Sequence, residues 1–238
     1  MSQKLGKTRR RLRPRLSKLG FIDYFSVVIG ITASILTIAI EWGHIPIYIV
    51  MSVLMLNCGI METVLGIKGR RSNYIFALFG AIGAIFVAFL DHFYGNMAFN
   101  VFYLFMSIIG FHLWGKHISG GKNIVVRKLS PFQGIVIIIS LVIVAISLNI
   151  LLEHLGGHST VLDSVATVLI VFASVLGVLR YREQWLVWAT ADVLILIMWL
   201  DTGNPAAIVM RTFFIIGSIV GYFNWLKLPE TRKRTCQS

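Results

Sequence analysis

Every second connection between the apolar runs of this chain is basic, and the connections between those are free of lysine and arginine. Eight apolar runs can be separated, at about 19–40, 45–66, 73–91, 96–114, 132–153, 161–179, 184–201 and 205–226. All lysines and arginines except Arg211 lie in residues 1–18, 67–73, 115–131, 180–183 or 227–238, whereas 41–44, 92–95, 154–160 and 202–204 contain none. About 20 residues at a helical rise of about 1.5 Å cover roughly 30 Å of hydrocarbon. Basic residues stay on the cytoplasmic side of a membrane. The pattern therefore predicts an all-α integral membrane protein of eight transmembrane helices with both ends cytoplasmic.

Composition closes the other classes. With 57% hydrophobic and 13% charged residues and a mean hydropathy of +0.81, too little charge is present to clothe a soluble domain. The net charge of +12 does not point to nucleic acid, because the basic residues sit between apolar runs and form no reading face. The basic segment 1–18 resembles the start of a signal peptide. The run after it is too long for one and lacks a small-residue cleavage pattern before Glu41, so it reads as a retained first span. Cys58 falls in the second span and Cys236 in the tail, so no disulfide is expected. The Gly120-Gly121 connection is the longest inside the chain and reads as a hinge between halves.

The chain also repeats itself. Val64-Leu-Gly-Ile with Arg71 returns as Val175-Leu-Gly-Val with Arg182, and Gly110, Trp114 and Lys116 return as Gly221, Trp225 and Lys227, all at an offset of 111. Between them, Leu90-Asp91 with Gly95-Asn96-x-Ala98 resembles Leu200-Asp201 with Gly203-Asn204-x-Ala206. Residues 45–116 and 161–227 thus read as two three-helix repeats. They are joined by a linker helix at 132–153, preceded by an extra helix at 19–40, and flanked by a basic segment at 1–18 and a tail at 228–238. An odd linker gives both triplets one orientation, the parallel arrangement in which a substrate site lies between repeats near the midplane.

Broken symmetry marks where such a site is built. In the seventh run Trp185, Trp188, Asp192 and Trp199 share one helix face. A carboxylate inside a span normally faces a bundle interior or a wet cavity. In the first copy Asp192 is replaced by Ala81, Trp188 by Ala77 and Trp185 by Tyr74, while Asn100 stands where the second copy has Arg211. Asp192 lies roughly 12 Å from the inner boundary and Arg211 roughly 9 Å from the outer one. Two readings stand: Asp192 is a ligand group tuned by Arg211, or the two residues neutralise each other. Asn100 and Tyr103, about one turn apart, can line the same cavity or bond between helices. Glu62 reads as snorkelling towards Lys68 or Arg70, near the end of its span. His154 and His158 lack further ligands for a metal, and no cofactor or metal is expected. No phosphate-cradling loop or nucleophile elbow occurs, which argues against ATP-driven transport and hydrolysis.

Arg182-Glu-Gln-Trp185-x-x-Trp188-x-x-x-Asp192, the preceding Leu-Gly-x-x-Arg and the recurring Gly-x-x-x-Trp resemble the PnuC family of bacterial vitamin transporters over roughly residues 45–227. The resemblance implies a SWEET-like 3+1+3 bundle in the bacterial inner membrane, with no enzymatic activity. It implies uptake of nicotinamide riboside by facilitated diffusion, trapping through phosphorylation by a cytoplasmic nucleoside kinase, and a homotrimer. It carries Gln184, Trp185, Trp188 and Asp192 over as substrate-binding, and symmetry and depth add Asn100, Tyr103 and Arg211. The chemistry agrees, since indole faces contribute roughly 0.5–2 kcal/mol each against a desolvated ring cation. A phosphorylated ligand would meet repulsion from Asp192. The alternatives are a carrier of thiamine or another nucleoside-like vitamin, and, from other classes, a membrane enzyme or a scaffold.

Overall fold

The computed structural model describes residues 20–90, 94–119, 123–154, 160–202 and 205–230. Eight helices are found among them: α1 (Phe21–Ile40), α2 (Pro46–Ile67), α3 (Asn73–Leu90), α4 (Tyr94–Gly115), α5 (Pro131–His154), α6 (Thr160–Val178), α7 (Gln184–Thr202) and α8 (Pro205–Trp225). Their bounds fall within two residues of the apolar runs. Proline, whose fixed φ suits a first helical turn, opens α2, α5 and α8. At α1 the Asp23 carboxylate accepts the Gly20 N–H at 2.9 Å. By length and composition α1, α2, α3, α5 and α8 are able to cross a membrane, and shorter apolar stretches occupy α4, α6 and α7. The chain is a multi-pass membrane protein.

The helices pack in two chains of neighbours, α2–α3–α4 and α6–α7–α8, and the two triplets meet where α2 touches α8 and α4 touches α6. Those two contacts exchange with each other under the 111-residue offset. Within the first triplet α3 approaches α2 through small residues: a Cβ on Gly83 would lie 3.1 Å from the Met51 carbonyl and one on Gly80 3.3 Å from Cys58 Cβ. Close backbone approach of this kind drives helix association where lipid is as apolar as the side chains. α1 packs on α2 and α8, with the Asn57 amide donating to Ser34 Oγ at 2.9 Å and Lys68 paired with Asp23. α5 packs on α6 alone among these contacts and leaves Ile135, Ile138, Ile139 and Ile143 exposed, a face suited to acyl chains.

At the end carrying the basic connections the two repeats close in matching ways. Gly69 ends α2 at φ +64°, and Arg180, its counterpart, follows α6 at φ +66°. The turn hydrogen bonds match as well: Gly69 N to Gly66 O at 2.8 Å and Arg70 N to Leu65 O at 3.0 Å in one copy, Arg180 N to Gly177 O and Tyr181 N to Leu176 O, both at 2.9 Å, in the other. Left-handed backbone costs a non-glycine residue about 1–2 kcal/mol, so Arg180 must be held by its surroundings. It is. The segment between repeats runs across both turns, Ile124 N donating to Gly69 O at 3.1 Å and Arg127 N to Arg180 O at 2.8 Å. Val126 N donates to Pro229 O at 2.8 Å and the Arg127 guanidinium lies 4.4 Å from the Tyr181 ring centroid. The expected hinge at Gly120-Gly121 lies outside the described residues. On its flanks Ile118–Ser119 (β1) and Asn123–Ile124 (β2) pair as a short antiparallel ladder, and the strand continues into the strap.

Candidate functional site

Four aromatic rings stand where the two triplets meet, and the repeat arranges them. Trp114 of α4 donates its indole N–H to the Gly177 carbonyl of α6 at 3.1 Å. Trp225 of α8 donates to the Gly66 carbonyl of α2 at 2.9 Å. The two indoles lie 5.6 Å apart by centroid. Tyr74 stands edge-on to Trp114 at 4.9 Å, and Trp185 edge-on to Trp225 at 5.7 Å. Tyr74 and Trp185 each lean on a glycine of their own triplet: a Cβ on Gly110 would fall 2.3 Å from Tyr74 Cζ, and one on Gly221 2.6 Å from Trp185 Cδ2. The motifs Leu-Gly and Gly-x-x-x-Trp are therefore one packing solution used twice. Together they close the basic end of the bundle around a buried aromatic core.

The sequence-derived site residues divide in two. Gln184 and Trp185 belong to the closed end: Gln184 is buried against Gly177, and Trp185 against Gly66, Gly221 and Trp225. The Trp185 N–H has no hydrogen-bond partner among the described residues. An unpaired buried donor costs about 1–3 kcal/mol. Further along α7 Trp188 is half-buried, and Asp192 is buried with its Oδ1 accepting from Arg211 Nη1 at 2.8 Å. Both readings given above include such a contact. Asp192 is 4% and Arg211 29% exposed, so the acid is enclosed and the guanidinium is not. The Arg211 guanidinium also lies 5.9 Å from the Phe214 ring centroid. Asn100 is half-buried in α4, and Tyr103, one turn on, stacks with Phe99 at 6.0 Å. The side chain of Trp199 lies outside the described residues.

One residue that the sequence reading turned towards the membrane surface belongs to this interior. Glu62 does not reach Lys68, whose amine pairs with Asp23. It accepts the Tyr103 hydroxyl instead. Glu62 sits one turn before Gly66, hence one turn from the aromatic closure. A further turn back, a Cβ on Gly59 would meet Phe214 at 3.4 Å, and Phe214 carries the Arg211 guanidinium over its ring. Glu62 and the Asp192–Arg211 pair thus flank the same inter-repeat region. Broken symmetry, the signal that singled out Asp192, would have found Glu62 too: the second copy has Ala173 in its place and Phe214 in place of Tyr103.

Residues 49–227 match the family model described as nicotinamide mononucleotide transporter. A nicotinamide riboside transporter PnuC of Haemophilus influenzae is 34% identical over 177 residues, covering 72% of this chain and 77% of that protein. One of Neisseria mucosa is 32% identical over 185 residues, covering 72% of this chain and 70% of its own length. A crystal structure described as the vitamin B3 transporter PnuC superposes with a TM-score of 0.69 at 26% identity, over 86% of this chain and 91% of that one.

Proposed function

This chain belongs to the nicotinamide mononucleotide transporter family, the PnuC proteins, and on that premise we propose that it carries nicotinamide riboside across the bacterial inner membrane by facilitated diffusion. The observation that carries the reading is the inter-repeat interior, closed at the basic end by reciprocal Trp→Gly bonds and flanked beyond it by a carboxylate, a tyrosine and a partly exposed ion pair. A parallel-repeat transporter holds its substrate between repeats and rocks one against the other. With all eight helices spanning in a 3+1+3 order and both termini cytoplasmic, the closed end is the cytoplasmic gate. Release requires the Trp114–Gly177 and Trp225–Gly66 bonds to part.

The site residues take roles accordingly. Trp188, half-buried, offers an indole face to a pyridinium ring. The unpaired Trp185 N–H and the Gln184 amide suit ribose hydroxyls or the carboxamide, and Asn100 and Tyr103 line the opposite repeat. Asp192 and Arg211 act as a pair that shapes the cavity. No group in the described spans links a chain of acids and histidines through the bundle, so no ion coupling is built in. Accumulation then depends on phosphorylation by a cytoplasmic kinase. Assembly as a homotrimer completes the reading.

The family description names the mononucleotide, the relatives the riboside. The riboside is favoured because a phosphate would enter a region where Glu62 carries no cation and Arg211 is already engaged. Uptake into proteoliposomes decides between them. Nicotinamide riboside should equilibrate to the outside concentration while its mononucleotide and thiamine stay out; entry of the mononucleotide at a comparable rate would reverse the assignment.

A further inference from the structure

Glu62 has a position and a partner but no countercharge. Among the described residues the ion pairs are Asp23–Lys68, Glu183–Arg182, Glu230–Arg182 and Asp192–Arg211. Of the acids within helices α2 to α4 and α6 to α8 whose side chains are described, Asp192 is satisfied by a cation and Glu62 is not. An ionised carboxylate has room for about four acceptor contacts, and Tyr103 supplies one. Leaving a charge uncompensated inside a membrane bundle is expensive unless something answers it.

The surroundings specify what would answer it. Tyr103 reaches it from α4, and Trp185 lies against Gly66 one turn away. The chemistry is that of a flat cation: one carboxylate, fixed by a hydroxyl donor, beside aromatic faces. The second repeat has alanine in the corresponding place, so among the described side chains of the two triplets Glu62 is the one acid without a cation. We propose that Glu62, oriented by Tyr103, is the group that recognises the pyridinium charge of nicotinamide riboside, and that Asp192, already held by Arg211, is not. This rests on the transport reading above, and makes charge selection the work of the first repeat.

Two ligands that differ in ring charge test it. Nicotinamide riboside and its dihydro form share ribose and carboxamide, but only the first carries a ring cation. In calorimetric titrations of the purified full chain, Glu62→Gln should weaken nicotinamide riboside about tenfold or more and leave the dihydro form within about twofold. Tyr103→Phe should lower the same preference to a smaller degree, and it carries the test if Glu62→Gln does not fold. Equal losses for both ligands in either variant, or an undiminished preference for the charged ring, would overturn the assignment. Wild-type protein that binds no nicotinamide riboside would sink the transport reading itself, and is distinguished from these outcomes because the variants play no part in it.

Discussion

The indole N–H of Trp225 donates to the carbonyl of Gly66, 159 residues earlier in the chain, at 2.9 Å. Trp114 does the same to Gly177 in the opposite sense, at 3.1 Å. Each repeat thus closes the turn region of the other, and neither triplet completes its own end. Each of these carbonyls also accepts a turn N–H, from Gly69 or Arg180, and the indole takes up its second lone pair. The conformational freedom of Gly66 and Gly177 is not what matters here. Their missing side chains are, because they leave room for the Trp185 ring at Gly66 and the Gln184 amide at Gly177.

The first prediction concerns those bonds. Trp225→Phe and Trp114→Phe keep an aromatic ring but remove the donor, so each carbonyl keeps only its backbone bond from Gly69 or Arg180 and one buried hydrogen bond, worth about 0.5–1.5 kcal/mol, is lost. Thermal unfolding in detergent should show both variants destabilised, by comparable amounts because their environments match. A normal unfolding temperature in either would mean that this bond does not secure the closure.

Overpacking the same region gives a second prediction. Gly110→Ala and Gly221→Ala place a methyl group within 2.3 Å of Tyr74 and 2.6 Å of Trp185, so the rings must move. Cost on the order of 1–3 kcal/mol follows. Gly134→Ala on α5, where no atom lies within 4 Å of the new carbon, should instead be neutral or gain up to about 1 kcal/mol of helix propensity. Equal behaviour of the three variants in the same unfolding assay would contradict the packing described for the closed end.

Topology is tested from charge alone. If the basic connections all lie on the cytoplasmic side, as the positive-inside rule requires, cysteines placed at Gly156 and Gly203 should react with an impermeant reagent outside intact cells, and native Cys236 should not. Labelling of Cys236 in sealed cells would reverse the orientation and, with it, the side on which the aromatic closure acts.

Much of this was legible in the sequence because a bilayer leaves few choices. Helices must satisfy their own backbone, so apolar length places every helix to within two residues. The 111-residue repeat marked the closure before any geometry was known, for Gly66, Gly110, Trp114 and their counterparts each appear in it. Side-chain partners were harder. Lys68 was available to both Glu62 and Asp23 by depth, and only the docking of α1 on α2 decides that Asp23 takes it. Arg180 in a left-handed turn carries no sequence signal of its own, yet its alignment with Gly69 shows that the fold demands that backbone there. The strap at 123–127 is held by backbone groups, which no residue pattern announces.

The Asp192–Arg211 pair yields a prediction with a built-in control. Asp192→Asn removes the only charge answering the guanidinium in its described contacts. Breaking an enclosed pair from one side costs on the order of 3–5 kcal/mol, and less here because Arg211 is partly exposed. Adding Arg211→Leu should recover much of that loss. If Asp192→Asn keeps full stability but loses nicotinamide riboside, the acid is a ligand group after all and the recognition assigned to Glu62 is shared.

Trp185 and Trp188 stand one turn apart on α7, and their surroundings separate them. Trp185 is wedged between Gly66, Gly221 and Trp225, so its ring is part of the wall. Trp188 is only half-buried and keeps surface for a ligand. Trp185→Leu should therefore lower thermal stability, since large-to-small changes at packed aromatic sites cost a few kcal/mol, and weaken binding both through that loss and through removal of the Trp185 N–H. Trp188→Leu should leave stability nearly unchanged and weaken binding of nicotinamide riboside strongly, because leucine fills space without presenting a π face. Trp188→Phe keeps a face of smaller quadrupole and should fall between. The order wild type, phenylalanine, leucine in affinity, with flat stability, identifies stacking. If the leucine and phenylalanine variants bind alike, or if affinity follows the unfolding temperature, then Trp188 fills space as Trp185 does and the ligand does not stack on α7.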